Sequence, residues 1–221
     1  MENKKLKEIK LTRKAKYGIV TMTIAAVLGI GVASFATEGN DQVVNNNNED
    51  DKQVTVNPPS EDKGPSQTKE NEKLAKPFNV AATIKTYYFD INDTSKNQEN
   101  ALIYYNGMYT PSVGVDYFYN NVSFEVLSSF TGTVVEKKVD PLYGASVSIK
   151  SKDNDSLVAV YSSLSDVSVN VGDEVKLGQV IAKSGSNTIN SSLGNHLNFS
   201  LIKNNKNINP LDYYLKEIKD I

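Results

Sequence analysis

The sequence predicts an all-β sandwich or barrel, preceded by one transmembrane helix and a disordered tether. Three observations carry this reading. First, Val122–Phe130, Thr133–Val139, Ala145–Lys150, Leu157–Tyr161, Gln179–Ser184 and Leu197–Ile202 are short runs rich in Val, Ile, Phe and Tyr, separated by Gly, Pro, Asn or Asp. That spacing fits hairpin-linked strands rather than βαβ units. Second, Val171–Ala182 holds Gly172 and Gly178, each permitting a tight turn into an apolar strand. Third, the first 76 residues pass from basic to apolar to polar, an order that belongs to an anchor and its stalk.

Taken in chain order, residues 1–16 are a basic tail. Lys4, Lys5, Lys7, Lys10, Arg13, Lys14 and Lys16 precede Tyr17–Ala36, a run of 20 residues without a charge. Such a run spans a hydrocarbon core of about 30 Å, and the flanking cations place the tail in the cytoplasm and everything beyond Glu38 across the membrane. A cleaved signal peptide is the competing reading, since Ser34 and Ala36 form a small-x-small site. The run exceeds the roughly 7–15 residues of a secretory apolar segment, which favours retention. Residues 37–76 hold nine acids, five Lys, the tetrad Asn45–Asn48, three Pro and no aromatic residue. A segment so poor in apolar surface cannot offset its ordering entropy and is expected to be a flexible tether with a span of about 35 Å.

The folded region is expected from residue 77 to 221. Val147 and Ile149 alternate with Ser146, Ser148 and Lys150, as in a strand with one buried face. Residues 93–100 are either a polar loop or a helix start. Asn209–Ile218 reads as a short terminal helix, with Asn209 as N-cap and Pro210 at the first helical position.

Composition removes several function classes. The net charge is −2, yet residues 1–36 carry seven basic and two acidic residues, which leaves −7 for the remainder. A nucleic-acid-binding domain would need a basic footprint that the folded part lacks. The absence of Cys rules out a disulfide framework and a thiol nucleophile, and the single His196 rules out any site that needs two imidazoles.

Several segments in order resemble the LytM, or M23 peptidase-like, domain of zinc endopeptidases that cut peptidoglycan cross-links. They are Ser112-Val-Gly-Val-Asp116, Gly132-Thr-Val134, Tyr143–Ile149, Tyr161-Ser-Ser-Leu164, Val171–Ala182, His196-Leu-Asn-Phe199 and Asn209–Tyr213. The resemblance covers about residues 105–215 and implies a LytM-type β-sandwich. Biotinyl and lipoyl carriers share the glycine hairpin but require a Lys-bearing hairpin, which is absent here. In active members of the family the zinc ligands fall on the positions of Ser112, Asp116 and Asn198, and two further catalytic His on Ser163 and His196. The resemblance therefore implies vestigial ligand positions Ser112, Asp116 and Asn198, a vestigial pair Ser163 and His196, and neither catalysis nor a bound metal or other cofactor. Asp116 is expected to bond a neighbouring backbone N–H or Ser112. Tyr104, Tyr105, Tyr109, Tyr117, Phe118 and Tyr119 are either a groove lining for a glycan or peptide, or core and rim.

The stretch from Phe89 through Gln98–Tyr105 to Tyr109–Tyr117, together with the anchor-and-tether layout, is similar to the stage II sporulation protein Q family of endospore-forming bacteria. That resemblance implies a non-catalytic protein of the forespore membrane. Its outer domain would bind the extracytoplasmic domain of stage III sporulation protein AH, held in the mother-cell membrane, across the intermembrane space. The pair would form an adhesion zipper and channel during engulfment. The alternative implied by other inactive LytM relatives is a regulator or recruiter of a peptidoglycan hydrolase, and an active endopeptidase with an unusual site stands third. The strands around Leu157–Tyr161 and Val122–Val139 are the candidate edges for a partner.

Overall fold

The computed structural model describes residues 71–221. The expected tail 1–16, the transmembrane helix 17–36 and the tether as far as residue 70 lie outside the described residues. Among the described residues no helix is long and apolar enough to cross a membrane.

The body is built from twelve strands: β1 (Thr83–Thr86), β2 (Leu102–Tyr105), β3 (Met108–Pro111), β4 (Val115–Phe118), β5 (Glu125–Leu127), β6 (Gly132–Asp140), β7 (Gly144–Ser151), β8 (Leu157–Ser165), β9 (Glu174–Val175), β10 (Val180–Ser184), β11 (His196–Lys203) and β12 (Lys206–Ile208). One antiparallel sheet runs in the order β1-β4-β11-β8-β7-β6-β9, β12 pairs β11, and β10 pairs both β5 and the end of β8. β2 and β3 form a separate hairpin. Val126 of β5 and Ile181 of β10 share one core with Val134, Ile149, Tyr161 and Phe199 of the main sheet, which makes the body an all-β sandwich.

The period of two along the central strands builds this core. Leu157, Ala159 and Tyr161 of β8 and Leu197, Phe199 and Leu201 of β11 are fully buried on one face. The register sets Phe199 opposite Tyr161, with ring centroids 5.2 Å apart. The Tyr161 hydroxyl accepts from the Ser129 amide at 2.8 Å, so burying it leaves no orphaned oxygen.

Several expectations change. β7 is buried on both faces, not one: Ser146 and Ser148 are only 4% exposed. They lie opposite Lys138 and Glu136 of β6, and Ser148 donates to Glu136 at 3.2 Å. The strand Leu157–Tyr161 is no edge, because β8 sits between β7 and β11. Within Val122–Val139 the expectation holds in part, since β9 pairs only with Gly132 and Thr133 of β6. The terminal segment is not a helix over 209–218. Asn209 does cap Leu211 at 3.2 Å, but only a 3-10 turn, Pro210–Asp212, follows. The reason is competition for backbone groups: the amides of Leu215 and Ile218 donate to Leu74 and Glu72, and the Lys216 carbonyl accepts from Leu74.

That pairing also moves the start of the body ahead of residue 77. Leu74 is fully buried, Ala75 donates to the Ser129 carbonyl, and Glu72 accepts from both the amide and hydroxyl of Thr131 at 2.5 and 2.6 Å. A single Leu in a polar stretch carries no periodic signal. The segment 93–100 resolves as a short helix, α1 (Ser95–Glu99), capped by Thr94 and held by Gln98, whose amide donates to the carbonyls of Ile91 and Asp93.

The chain enters at the end of the sheet that holds Thr131 and the start of β8. The opposite end, where β8 finishes and β11 begins, holds Ser163 and His196.

Candidate functional site

Three neighbouring strands bring the predicted residues together. In the register of β4, β11 and β8, Asn198 stands opposite Asp116 on one side and Ser162 on the other. His196 and Asn198 are two apart on β11, so they share the face opposite Leu197 and Phe199.

The residues form two small networks. In the first, Asp116 is 1% exposed and its two oxygens are taken by amides: Asn198 Nδ2 donates to Oδ1 at 2.7 Å and Asn190 Nδ2 to Oδ2 at 2.9 Å. Asn190 Nδ2 also lies 3.3 Å from the Thr86 hydroxyl. The expected partners of Asp116, a backbone N–H or Ser112, are not the ones used. Ser112 is buried but curls onto its own turn, donating to the Gly114 carbonyl at 2.9 Å and accepting from the Gly114 amide at 3.3 Å. A Cβ at Gly114 would stand 2.6 Å from the Phe199 carbonyl oxygen, so the turn between Ser112 and Asp116 needs glycine.

In the second network Ser163 Oγ lies 3.0 Å from His196 Nε2. His196 Nδ1 lies 2.8 Å from the Gly194 carbonyl, which only accepts, so Nδ1 carries the proton and Nε2 accepts from the Ser163 hydroxyl. Asn187 Nδ2 donates to Ser163 Oγ at 2.7 Å and lies 3.1 Å from Nε2. Ser163 has φ +61°, a left-handed conformation held by its amide on Tyr143 and by Gly185 on its carbonyl. Both Ser163 and His196 are fully buried, so this hydroxyl–imidazole pair has no face open to a substrate.

These residues do not fit a zinc centre. A catalytic zinc takes three protein ligands and an open position. Only Asp116 offers an anionic donor, and both its oxygens are already hydrogen-bonded; Asn198 turns its NH2 rather than its carbonyl to the carboxylate, and Ser112 faces its own backbone. Among the described residues no cluster of three or more His, Cys, Asp or Glu is placed to hold a metal ion.

The aromatic residues do not line one groove. Tyr104 and Tyr109 pair across the β2–β3 hairpin at 5.0 Å and are 62% and 50% exposed. Tyr105 sits half-buried on the same hairpin. Tyr117 instead lies in the core, its hydroxyl 2.8 Å from that of Tyr214, and burial pushes its phenol up to about 12. Phe118 lies under the Lys85 ammonium at 5.0 Å, and Tyr119 packs on the core. Two members of the site, Asn187 and Asn190, carry no signal in the sequence: they belong to an Asn- and Ser-rich stretch that reads as an ordinary loop.

Residues 110–210 match the model of peptidase family M23. Stage II sporulation protein Q of Bacillus subtilis (strain 168) is 38% identical over 158 residues, covering 69% of this chain and 54% of that protein, so the chain spans about half the length of this curated relative. A chain of the SpoIIQ–SpoIIIAH pore-forming complex is 34% identical, with 68% of this chain and 96% of that chain covered and a TM-score of 0.64. A chain of a second crystal structure of the SpoIIIAH and SpoIIQ complex is 36% identical, with coverages of 63% and 99% and a TM-score of 0.60. A zinc-containing peptidase from Vibrio cholerae shares the fold at 21% identity and a TM-score of 0.51, over 64% of this chain and 40% of that one. With the sandwich, the order of its motifs and relatives of this identity, the chain belongs to the stage II sporulation protein Q family, built on the M23 peptidase fold.

Proposed function

We propose that this chain is a non-catalytic sporulation protein that binds the extracytoplasmic domain of stage III sporulation protein AH across the space between forespore and mother-cell membranes, as part of an adhesion zipper and channel during engulfment. The observation that carries this reading is the match at 34% and 36% identity to nearly all of a chain found in complexes of those two proteins. In the same reading residues 17–36 anchor the chain in the forespore membrane with the basic tail in the cytoplasm, and 37–70 is the tether. Two partners tied to facing membranes gain effective concentration, so pairings that are weak singly add up along a row.

The non-catalytic part rests on the site. Ser112, Asp116 and Asn198 stand as former ligand positions, and Ser163 and His196 as the former proton-handling pair. A hydroxyl and an amide in place of two imidazoles leave no ion to lower the pKa of a bound water, and the nucleophile is lost with it.

Calorimetric titration of the full chain, purified in mild detergent, with the partner's extracytoplasmic domain tests the reading. Saturable heat at a fixed ratio supports it. A folded chain that gives no heat and no co-elution sinks it, and the same chain is then titrated with a peptidoglycan hydrolase, the alternative partner. Zinc content and cleavage of cross-linked peptide test the enzymatic alternative on the same preparation.

A further inference from the structure

The loop between β10 and β11, Gly185–Asn195, begins and ends at the site. Gly185 and His196 form an antiparallel bridge, with the His196 amide on the Gly185 carbonyl at 2.7 Å, so the intervening residues make a closed Ω-type loop. From it two side-chain amides reach inward. Asn190 takes the carboxylate of Asp116, and Asn187 takes the Ser163–His196 pair. They are coupled, because the Asn190 backbone N–H donates to Asn187 Oδ1 at 2.8 Å. The loop's back is pinned as well. The amides of Thr188 and Ile189 both donate to the Leu142 carbonyl, Ile189 is buried, and the Asn195 amide donates to Asn121 Oδ1 at 2.9 Å. Gly194 (φ +62°) lies so close to the Asn121 side chain that any Cβ there would collide with it.

We infer that Gly185–Asn195 is a strap that seals the former peptidase site independently of the missing ligands, with Asn190 as the plug on the carboxylate and Asn187 as the plug on the Ser–His pair. The absence of two imidazoles explains why no metal would be held. It does not explain why two amides on one loop, three residues apart, occupy what remains. A carboxylate whose two oxygens are paired with neutral N–H groups is satisfied without a cation, and a metal must first displace those donors. The strap thereby turns a substrate cleft into a closed, rigid end of the sandwich, facing away from the point where the chain enters. Restoring the ligands alone would leave the plug in place.

Two measurements test this, and neither depends on whether the chain binds its proposed partner. In the first, zinc chloride is titrated into full chains carrying S112H/N198H with and without N190A. The strap predicts that removing Asn190 tightens zinc binding by about tenfold or more, the equivalent of one hydrogen bond to a charged group; equal affinities overturn it. In the second, which needs no engineered metal site, hydrogen exchange compares the natural chain with N187A/N190A. The strap predicts that amides of residues 188–195 exchange at least about tenfold faster while those of β8 and β11 are unchanged. Unchanged loop protection overturns the inference even where the histidine variants fail to fold.

Discussion

Replacing Asp116 with Ala tests the account of the site most directly. Asp116 is 1% exposed and accepts one amide N–H on each oxygen, at 2.7 and 2.9 Å. A hydrogen bond to a charged group contributes about 1.5–3 kcal/mol, and a donor left buried without a partner costs about 1–3 kcal/mol. The loss of two such bonds is partly offset, because the mutant no longer buries a carboxylate. The expected net destabilisation is about 3 kcal/mol. With a urea m-value of about 2 kcal/mol/M, the unfolding midpoint should fall by about 1.5 M at pH 7. Ser112→Ala is the internal control: its hydroxyl bonds only the Gly114 turn, so its cost should stay near 1 kcal/mol. Equilibrium urea unfolding followed by far-UV circular dichroism measures both. Equal costs for the two variants, or a change below about 1 kcal/mol for Asp116→Ala, would refute the claim that the carboxylate organises Asn190 and Asn198.

Three further outcomes are expected. Leu74→Ala should destabilise the body by about 3 kcal/mol in the same unfolding assay, because the side chain is fully buried and its removal leaves a cavity at the point of chain entry; a loss under about 1 kcal/mol would mean the entry segment is not part of the core. Gly114→Ala should lower the thermal midpoint by several degrees in differential scanning calorimetry, since its Cβ would press on the Phe199 carbonyl of β11; an unchanged midpoint would show that the turn can give. Burial raises Tyr117 to about 12, and burial together with the Tyr117 charge raises Tyr214. A tyrosine raised above its unfolded value contributes stability that is complete below about pH 10 and is lost as pH climbs through its folded value. Unfolding free energy should therefore decline between pH 10 and 12, and Tyr117→Phe should flatten that decline; an unaltered slope would contradict the burial of this pair.

The chain order of short apolar runs was legible because a strand that faces a core repeats every two residues, and each predicted run from Thr133 to Ile202 coincides with a strand to within a few residues. The glycine turns at Gly172 and Gly178 were legible for the same local reason, as both take positive φ. The family motifs led to Ser112, Asp116, Ser163, His196 and Asn198, and the fold does gather four of these five into two hydrogen-bonded networks, with Ser112 turned aside.

What required the tertiary structure is everything decided by a distant partner. Whether β7 shows one face or none to water depends on its neighbours in the sheet, such as Glu136 across the ladder from Ser148. Whether 209–218 coils into a helix depends on Leu74 and Glu72, far away in the chain, which claim its backbone groups. Whether Leu157–Tyr161 is an edge depends on sheet order, which local periodicity does not encode. The roles of Asn187 and Asn190 likewise exist only after β4, β8 and β11 have met, because an amide in a polar loop acquires a function from the carboxylate or imidazole the fold sets before it. Local patterning thus determined which segments are strands, and that His196 is the single imidazole of the chain. Only long-range packing decided which groups fill it, because hydrogen-bond partners far apart in sequence are chosen by geometry that no single segment contains.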